Sequence, residues 1–217
     1  HTAYRRQRQM CIRDRVWPIM SLLARTMAQT TSPYVVYHAL RLTTVMGTKL
    51  TDSNLFNEQR TRRDVQDAFV RLCELTISLY GRSLDILSGR DSDAPSVASD
   101  RGETPSDVVS PTSVVQTLCS MVLPAFTTLR VDQDKIQSVS ASLAYYILAP
   151  GFRARQGSWE PEPLLFEVLE SLTQLPATSK TWRSYVLDTF FDVRFFAQSL
   201  DMGKQWAPMI AALFRSE

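Results

Sequence analysis

From Val16 onward, apolar side chains recur at steps of three and four residues, the period of a helix that buries one face. Ile19, Leu22, Leu23 and Met27 form one such stripe. Ser32-Pro33 predicts the start of a second helix, with Ser32 as cap and Pro33 in the first turn. That helix carries Val36, Leu40 and Val45 and ends near Gly47. Val65, Phe69, Leu72, Leu75 and Leu79 predict a long helix from Thr61 to Ile86. Its polar face is dense with Arg60, Arg62, Arg63, Asp64 and Asp67.

Residues 88–113 interrupt the pattern with a Ser-, Asp- and Pro-rich stretch that has no apolar periodicity. It reads as a disordered linker, in which Thr104-Pro105 and Ser110-Pro111 are proline-directed acceptors for phosphate. Helices resume near Ser113. Val114, Leu118, Met121 and Val122 share a face, and Pro124 is expected to kink or end that helix. Ile136, Val139, Leu143, Tyr146 and Ile147 predict a helix over Asp132 to Ala149, followed by a loop over Gly151 to Pro163. Leu165, Val168, Leu169, Leu172 and Leu175 make the clearest stripe in the chain. Thr178 or Ser179 caps a helix bearing Trp182, Val186, Leu187 and Phe190. A last helix starts near Met202, with Trp206, Ile210 and Leu213.

About eight helices of roughly 12 to 25 residues, joined by short loops and with no β-rich segment, predict an all-α fold of antiparallel helix pairs. Such pairs stack as a HEAT- or armadillo-type solenoid. No fixed-period repeat is visible, so a compact bundle is the competing arrangement. No apolar run reaches the length of about 18 residues needed to cross a membrane. The expected organisation is a tail (1–15), a helical segment (16–87), the linker (88–113) and a second helical segment (114–217).

Composition fits this picture: 217 residues, 44% hydrophobic, 21% charged, and only 7 glycines, too few for a turn-rich β fold. The net charge of +2 is carried by the opening stretch. Residues 1–15 hold five Lys+Arg and one Asp, and without them the remainder is at −2. Met10-Cys11-Ile12-Arg13-Asp14-Arg15 looks like the translation of a transposon mosaic end used in library construction, so the tail reads as non-native. Were it native, an Arg-rich tail would suit nucleic acid or an anionic membrane surface. The first residue is His1, not Met, and Ala211 to Glu217 still follow a helical pattern, as expected of a fragment of something longer.

Candidate chemistry is sparse. Cys11, Cys73 and Cys119 form no C-x-x-C pair, which argues against a disulfide framework or a zinc site. Cys73 and Cys119 fall among apolar helix neighbours, where thiols are ordinarily inert. His38 stands beside Tyr37 with no second histidine near it in sequence, and no P-loop, H-E-x-x-H or G-x-S-x-G pattern occurs. Neither a catalytic constellation nor a cofactor or metal site is expected. The Arg60-Thr61-Arg62-Arg63 cluster is followed closely by Asp64 and Asp67, which reads as a solvated helix start, and no nucleic-acid partner is expected of the trimmed chain.

The aromatic run near the carboxyl end is the most informative feature. Trp182 and Phe190 lie eight residues apart on one helix face and are expected in the core. Of Phe195 and Phe196, one is expected to plug a groove between helices while the other faces out. Packing outweighs direct partner contact as the reading of the run, because buried aromatics chiefly carry packing.

The order W-[KR]-x4-D-x-F-x-D-x2-FF, then a Trp about ten residues on, resembles the carboxy-terminal half of the Dopey family of large cytosolic trafficking proteins. Here it is filled by Trp182, Arg183, Asp188, Phe190, Asp192, Phe195, Phe196 and Trp206, with Ile210 and Leu213 beyond. An upstream R-R-D-x-Q-D element, Arg62 to Asp67, is similar as well. The resemblance is specific over about 178–213, extends over 113–217 and is weaker over 16–87.

What the resemblance implies is a non-catalytic scaffold segment in endosome-to-Golgi vesicle-mediated transport. Its expected place is the cytosolic face of Golgi and endosome membranes, held there peripherally through the parent protein. The partners it implies are an armadillo-type guanine-exchange-factor-like scaffold and a phospholipid-flipping P-type ATPase. No catalytic residues come with the family.

Overall fold

A computed structural model describes residues 22, 26, 32–51, 59–87, 109–152 and 163–215. Among them there is no strand, so the fold is all-α, as the periodicity predicts. The tail, Ile19, Leu23 and Met27, and residues 88–108, including Thr104, lie outside the described residues.

Helix α1 (Pro33–Leu50) begins with Pro33 in its first turn, where a missing N–H costs nothing. It runs three residues past Gly47. Ser32 occupies the cap position, yet its side chain makes no capping hydrogen bond. Val36 and Leu40 are buried as expected, whereas Val45 is 46% exposed. Leu22, expected on an apolar face, is also exposed. Helix α2 (Gln59–Leu87) contains the predicted long helix and exceeds it slightly at both ends.

Helix α3 (Pro111–Thr117) starts two residues before the expected resumption. Ser110 caps it, its Oγ accepting from the Ser113 N–H at 3.2 Å. A π-helical turn, Leu118–Val122, leads into α4 (Leu123–Thr128). Pro124 therefore does not end the helix; it stands in the first turn of α4, directly after the widened one. The Leu123 N–H reaches back five residues to the Leu118 carbonyl. This widened turn sits where a proline, lacking an N–H and crowding the carbonyl four residues back, would disrupt α geometry. The same device recurs. Helix α5 (Gln133–Leu143) passes through a π-helical turn, Ala144–Leu148, into α6 (Ala149–Phe152), with Ala149 bonded back to Ala144 and Pro150 next. In both cases the proline is the second residue after the wide turn.

Helices α7 (Pro163–Thr173), α8 (Ser179–Phe190) and α9 (Leu200–Arg215) complete the series, with a 3₁₀ turn, Val193–Ala197, between the last two. Pro208 lies inside α9.

The chain divides into two compact units, one drawn from His1–Thr76 and Ala125–Val131, the other from Ile77–Pro124 and Asp132–Glu217. The core of the first contains Val36, Leu40, Phe69, Leu72 and Phe126, the rings of Phe69 and Phe126 lying 5.0 Å apart. The turn after α4 is closed by its own backbone: Val131 N–H donates to Phe126 O and Arg130 N–H to Thr127 O, with Arg130 at φ 50. This is a Schellman stop with arginine where glycine is usual. The buried Gln66 amide completes it, donating to Leu129 O at 3.1 Å and Arg130 O at 2.6 Å. Those carbonyls would otherwise be orphans of the helix end.

In the second unit α7 is the hub. Leu165, Val168, Leu169, Leu172 and Leu175, the stripe read from sequence, are all buried, and α7 contacts α3, α8, α9 and both π-helical turns. Helix α5 packs on α8, where Ser140 and Thr181 hydroxyls meet at 2.9 Å. Gly81 lets α2 approach closely. A Cβ there would lie 2.6 Å from the Tyr146 Cβ and 3.1 Å from the Tyr146 carbonyl oxygen. Glycine is a poor helix former, so its presence mid-helix answers to this approach.

Candidate interaction site

The aromatic run assembles around one ring. Trp206, on α9, has no solvent exposure. Phe166 of α7 meets it edge-on at 4.9 Å, Phe190 of α8 at 5.5 Å, Phe195 of the 3₁₀ turn at 5.7 Å and Phe152 of α6 at 5.8 Å. The indole N–H donates to Gln198 Oε1 at 2.9 Å, satisfying the polar atom that a buried tryptophan must place. Phe190 and Phe195 also pair directly at 4.8 Å.

Local chemistry sets this corner. After α8, Phe191 N–H donates to Leu187 O and Asp192 N–H to Thr189 O, which closes the helix. Phe195 N–H donates to Asp192 O and tightens the chain into the 3₁₀ turn, aiming the Phe195 ring inward. Ser199 then starts α9, its Oγ accepting from the Met202 N–H at 3.3 Å, and Asp201 stands in the first turn. A serine followed by an early aspartate is a helix-start signal, and it puts the start at Leu200, ahead of Met202.

The residues singled out from sequence divide by burial. Trp182 is 2% exposed, Phe190 and Phe195 are half-buried, and Arg183 and Asp192 are half-buried as well. Asp188 is exposed, and Phe196 is 79% exposed with its ring 5.4 Å from that of Phe195. Phe195 is thus the inward ring and Phe196 the outward one. The structure brings Phe190, Phe195 and Trp206 together and leaves Trp182 apart, beside a cleft it shares with Met209 and Ala212 of α9. Phe152, Phe166 and Gln198 belong to the cluster and carried no signal in sequence, since no local spacing relates them to Trp206.

The cleft beside Trp182 encloses about 610 Å³ and is lined also by Leu175, with Glu170 and Arg215 as its ionisable groups. The adjoining turn carries Ala177 at φ 62. Thr178, expected to cap α8, faces the other way. Its buried hydroxyl donates to Leu172 O at 2.5 Å and Leu175 O at 3.1 Å, sealing the end of α7. The cleft therefore offers an apolar floor and a polar rim, with no histidine, cysteine or aspartate in its lining.

Both cysteine thiols among the described residues are held in the neutral form. Burial pushes the Cys73 thiol well above its usual value, and the neighbouring Glu74 adds to this. Cys119 rises to about 11 through burial, opposed by a hydrogen bond with Ser171 and assisted by Glu167. A thiol so raised is protonated and a poor nucleophile at neutral pH. His38 lies between aromatic rings, edge-on to Tyr34 at 4.3 Å and to Tyr37 at 5.1 Å. Among the described residues no group of three or more His, Cys, Asp or Glu could hold a metal ion, and no helix is long and apolar enough to cross a membrane.

Exposed apolar side chains concentrate at the same corner. Phe191 and Val193 are each 84% exposed, Leu200 81% and Phe196 79%. They give the α8–α9 corner an apolar outer surface.

Comparison with known proteins places this architecture. The chain is similar to Protein dop1 of Emericella nidulans (strain FGSC A4), 24% identical over 209 residues, an alignment covering 89% of this chain and 11% of that protein. The chain thus spans about a ninth of the length of the curated relative it matches. No solved structure matches. The family model described as DOP1 C-terminal matches residues 3–217. With nearly every residue inside that match, this protein belongs to the DOP1 C-terminal (Dopey) family.

Proposed function

We propose that this chain is a non-catalytic helical scaffold segment of a Dopey-type protein, acting through protein–protein contacts in endosome-to-Golgi vesicle-mediated transport. The observation that carries the reading is the DOP1 C-terminal match over residues 3–217. An outward apolar corner and protonated thiols are compatible with contact in place of chemistry. In this reading the segment works within a parent protein held peripherally at Golgi and endosome membranes, alongside an armadillo-type guanine-exchange-factor-like scaffold and a phospholipid-flipping P-type ATPase.

The test is made in cells lacking the parent protein. They receive the full-length form or one without the region corresponding to residues 16–217, and retrieval of a cargo from endosomes to the Golgi is followed. The deletion should impair retrieval and weaken co-purification with at least one of the two named partners. Normal retrieval with the region missing would refute the reading, as would a reaction turned over by the purified chain.

A further inference from the structure

The outward face of α1 takes no part in the core. Tyr34, His38, Leu42, Val45 and Lys49 follow one another there at steps of three or four residues, with Arg41 beside Leu42. At about 100° per residue, all six share an arc of about 100°. Tyr34 is 38% exposed, Leu42 48% and Val45 46%, and Arg41 and Lys49 are exposed among them. A solvated helix face ordinarily carries both signs of charge. From Pro33 to Leu50, α1 has no Asp or Glu at all.

These cations are not spent within the fold. Among the described residues no carboxylate pairs with Arg41 or Lys49. The Arg41 guanidinium lies 5.7 Å from the centre of the Tyr37 ring, on the same helix. The compact unit to which α1 belongs is basic as well, its described residues including seven Lys and Arg against three Asp and Glu. An acidic surface is attracted to this arc and a basic one is repelled.

Exposure decides the form of the occupant. More than half of Tyr34, Leu42 and Val45 is already covered. These groups stand level with their surroundings, short of the roughly 5–10 Å that entry into a bilayer boundary takes. A second helix comes to them instead, packing at about 8–10 Å between axes. Carboxylates flanking its apolar stripe then meet the long Arg41 and Lys49 side chains.

We propose that the outward face of α1 docks an acidic amphipathic helix of a protein partner, its apolar stripe covering Tyr34, Leu42 and Val45 and its carboxylates pairing with Arg41 and Lys49. The inference rests on the scaffold reading above and gives it a contact surface and a partner chemistry.

The test titrates the full chain with a fluorescent amphipathic peptide of about 18 residues made of leucine and glutamate, and with its leucine–lysine counterpart. Anisotropy should report binding of the glutamate peptide at least about tenfold tighter than the lysine peptide. Arg41→Glu/Lys49→Glu should weaken it by about tenfold or more and narrow or invert the preference. Leu42→Ser should weaken it by about threefold or more at unchanged circular dichroism. Lys180→Glu/Lys204→Glu makes the same charge change at exposed positions of the second unit, and should leave the affinity within about twofold. Arg5→Ser/Arg6→Ser/Arg8→Ser, in the basic opening stretch, should do likewise.

Equal affinity for the two peptides overturns the proposal, as does a loss that follows the second-unit or opening-stretch variant and spares the α1 variant. Binding to vesicles of phosphatidylcholine and phosphatidylserine that Arg41→Glu/Lys49→Glu abolishes, in place of peptide binding, overturns it in favour of a lipid surface. The scaffold reading is judged separately, by cargo retrieval after removal of the whole segment, so the two failures are distinguishable.

Discussion

Trp206→Ala is the most demanding single perturbation of the second unit. The ring has no exposure and four aromatic neighbours at 4.9–5.8 Å. Truncating a buried aromatic to alanine costs roughly 3–5 kcal/mol. Well-placed ring pairs contribute about 0.5–1.5 kcal/mol each beyond area, and four of them put Trp206 at the top of that range, at about 5 kcal/mol. Against a typical total of about 5–15 kcal/mol this is a large share. Trp206→Phe separates the two contributions. It keeps a ring but removes the N–H bound to Gln198 Oε1, and an acceptor left unpaired in the interior costs about 1–3 kcal/mol. Urea denaturation of the wild type and both variants reads these values from the midpoint, provided the slope is unchanged. A loss below about 2 kcal/mol for Trp206→Ala would refute the claim that this ring organises the corner. Equal losses for the two variants would refute the share assigned to ring contacts and trace the whole effect to the lost hydrogen bond.

Two further outcomes follow from single contacts. Gly81→Ala should destabilise by about 1–3 kcal/mol in the same denaturation assay, because the new methyl meets the Tyr146 Cβ and carbonyl, overriding alanine's advantage of up to about 1 kcal/mol in helices. A stabilised variant would show that the two segments do not approach as described. Alkylation of Cys119, followed by peptide-resolved mass spectrometry, should be slow at neutral pH and accelerate only as pH climbs toward about 11. The sign follows from burial favouring the neutral thiol, so a rate already at its plateau near pH 8 would contradict it.

Existence and type of the helices were legible in the sequence wherever the apolar stripe was long, as in α7 and the turn after it, whose five expected core residues are all buried. The misses depend on where neighbouring segments end up in space, which spacing along one helix does not report. Val45 fits the stripe of α1 by spacing, yet nearly half of it is exposed. Thr178 has the chemistry of a cap, but the carbonyls within reach are those of the helix before it. Phe190 shares a face with Trp182, yet it is only half-buried, and its ring belongs to the Trp206 cluster. Its truncation should cost less than that of either tryptophan. Gln66 looked like one more polar residue on a charged helix, and its role emerges only when the end of α4 is brought beside it. For the aromatic corner, spacing picked out the ring-bearing segment but could not supply Phe152 and Phe166, which arrive from other helices.

The two widened helical turns couple chain length to composition. Each holds one residue more than a regular helix would need, and a regular helix advances about 100° per residue. Everything after the extra residue is rotated by that amount. Losing Pro124 or Pro150 alone would leave a surplus amino acid with no reason to bulge, and deleting one residue alone would force the ring into a tight spiral. Homologues should therefore gain or lose the proline and the extra position as a pair, a covariation between an indel and a substitution that an alignment would register as a shifted gap.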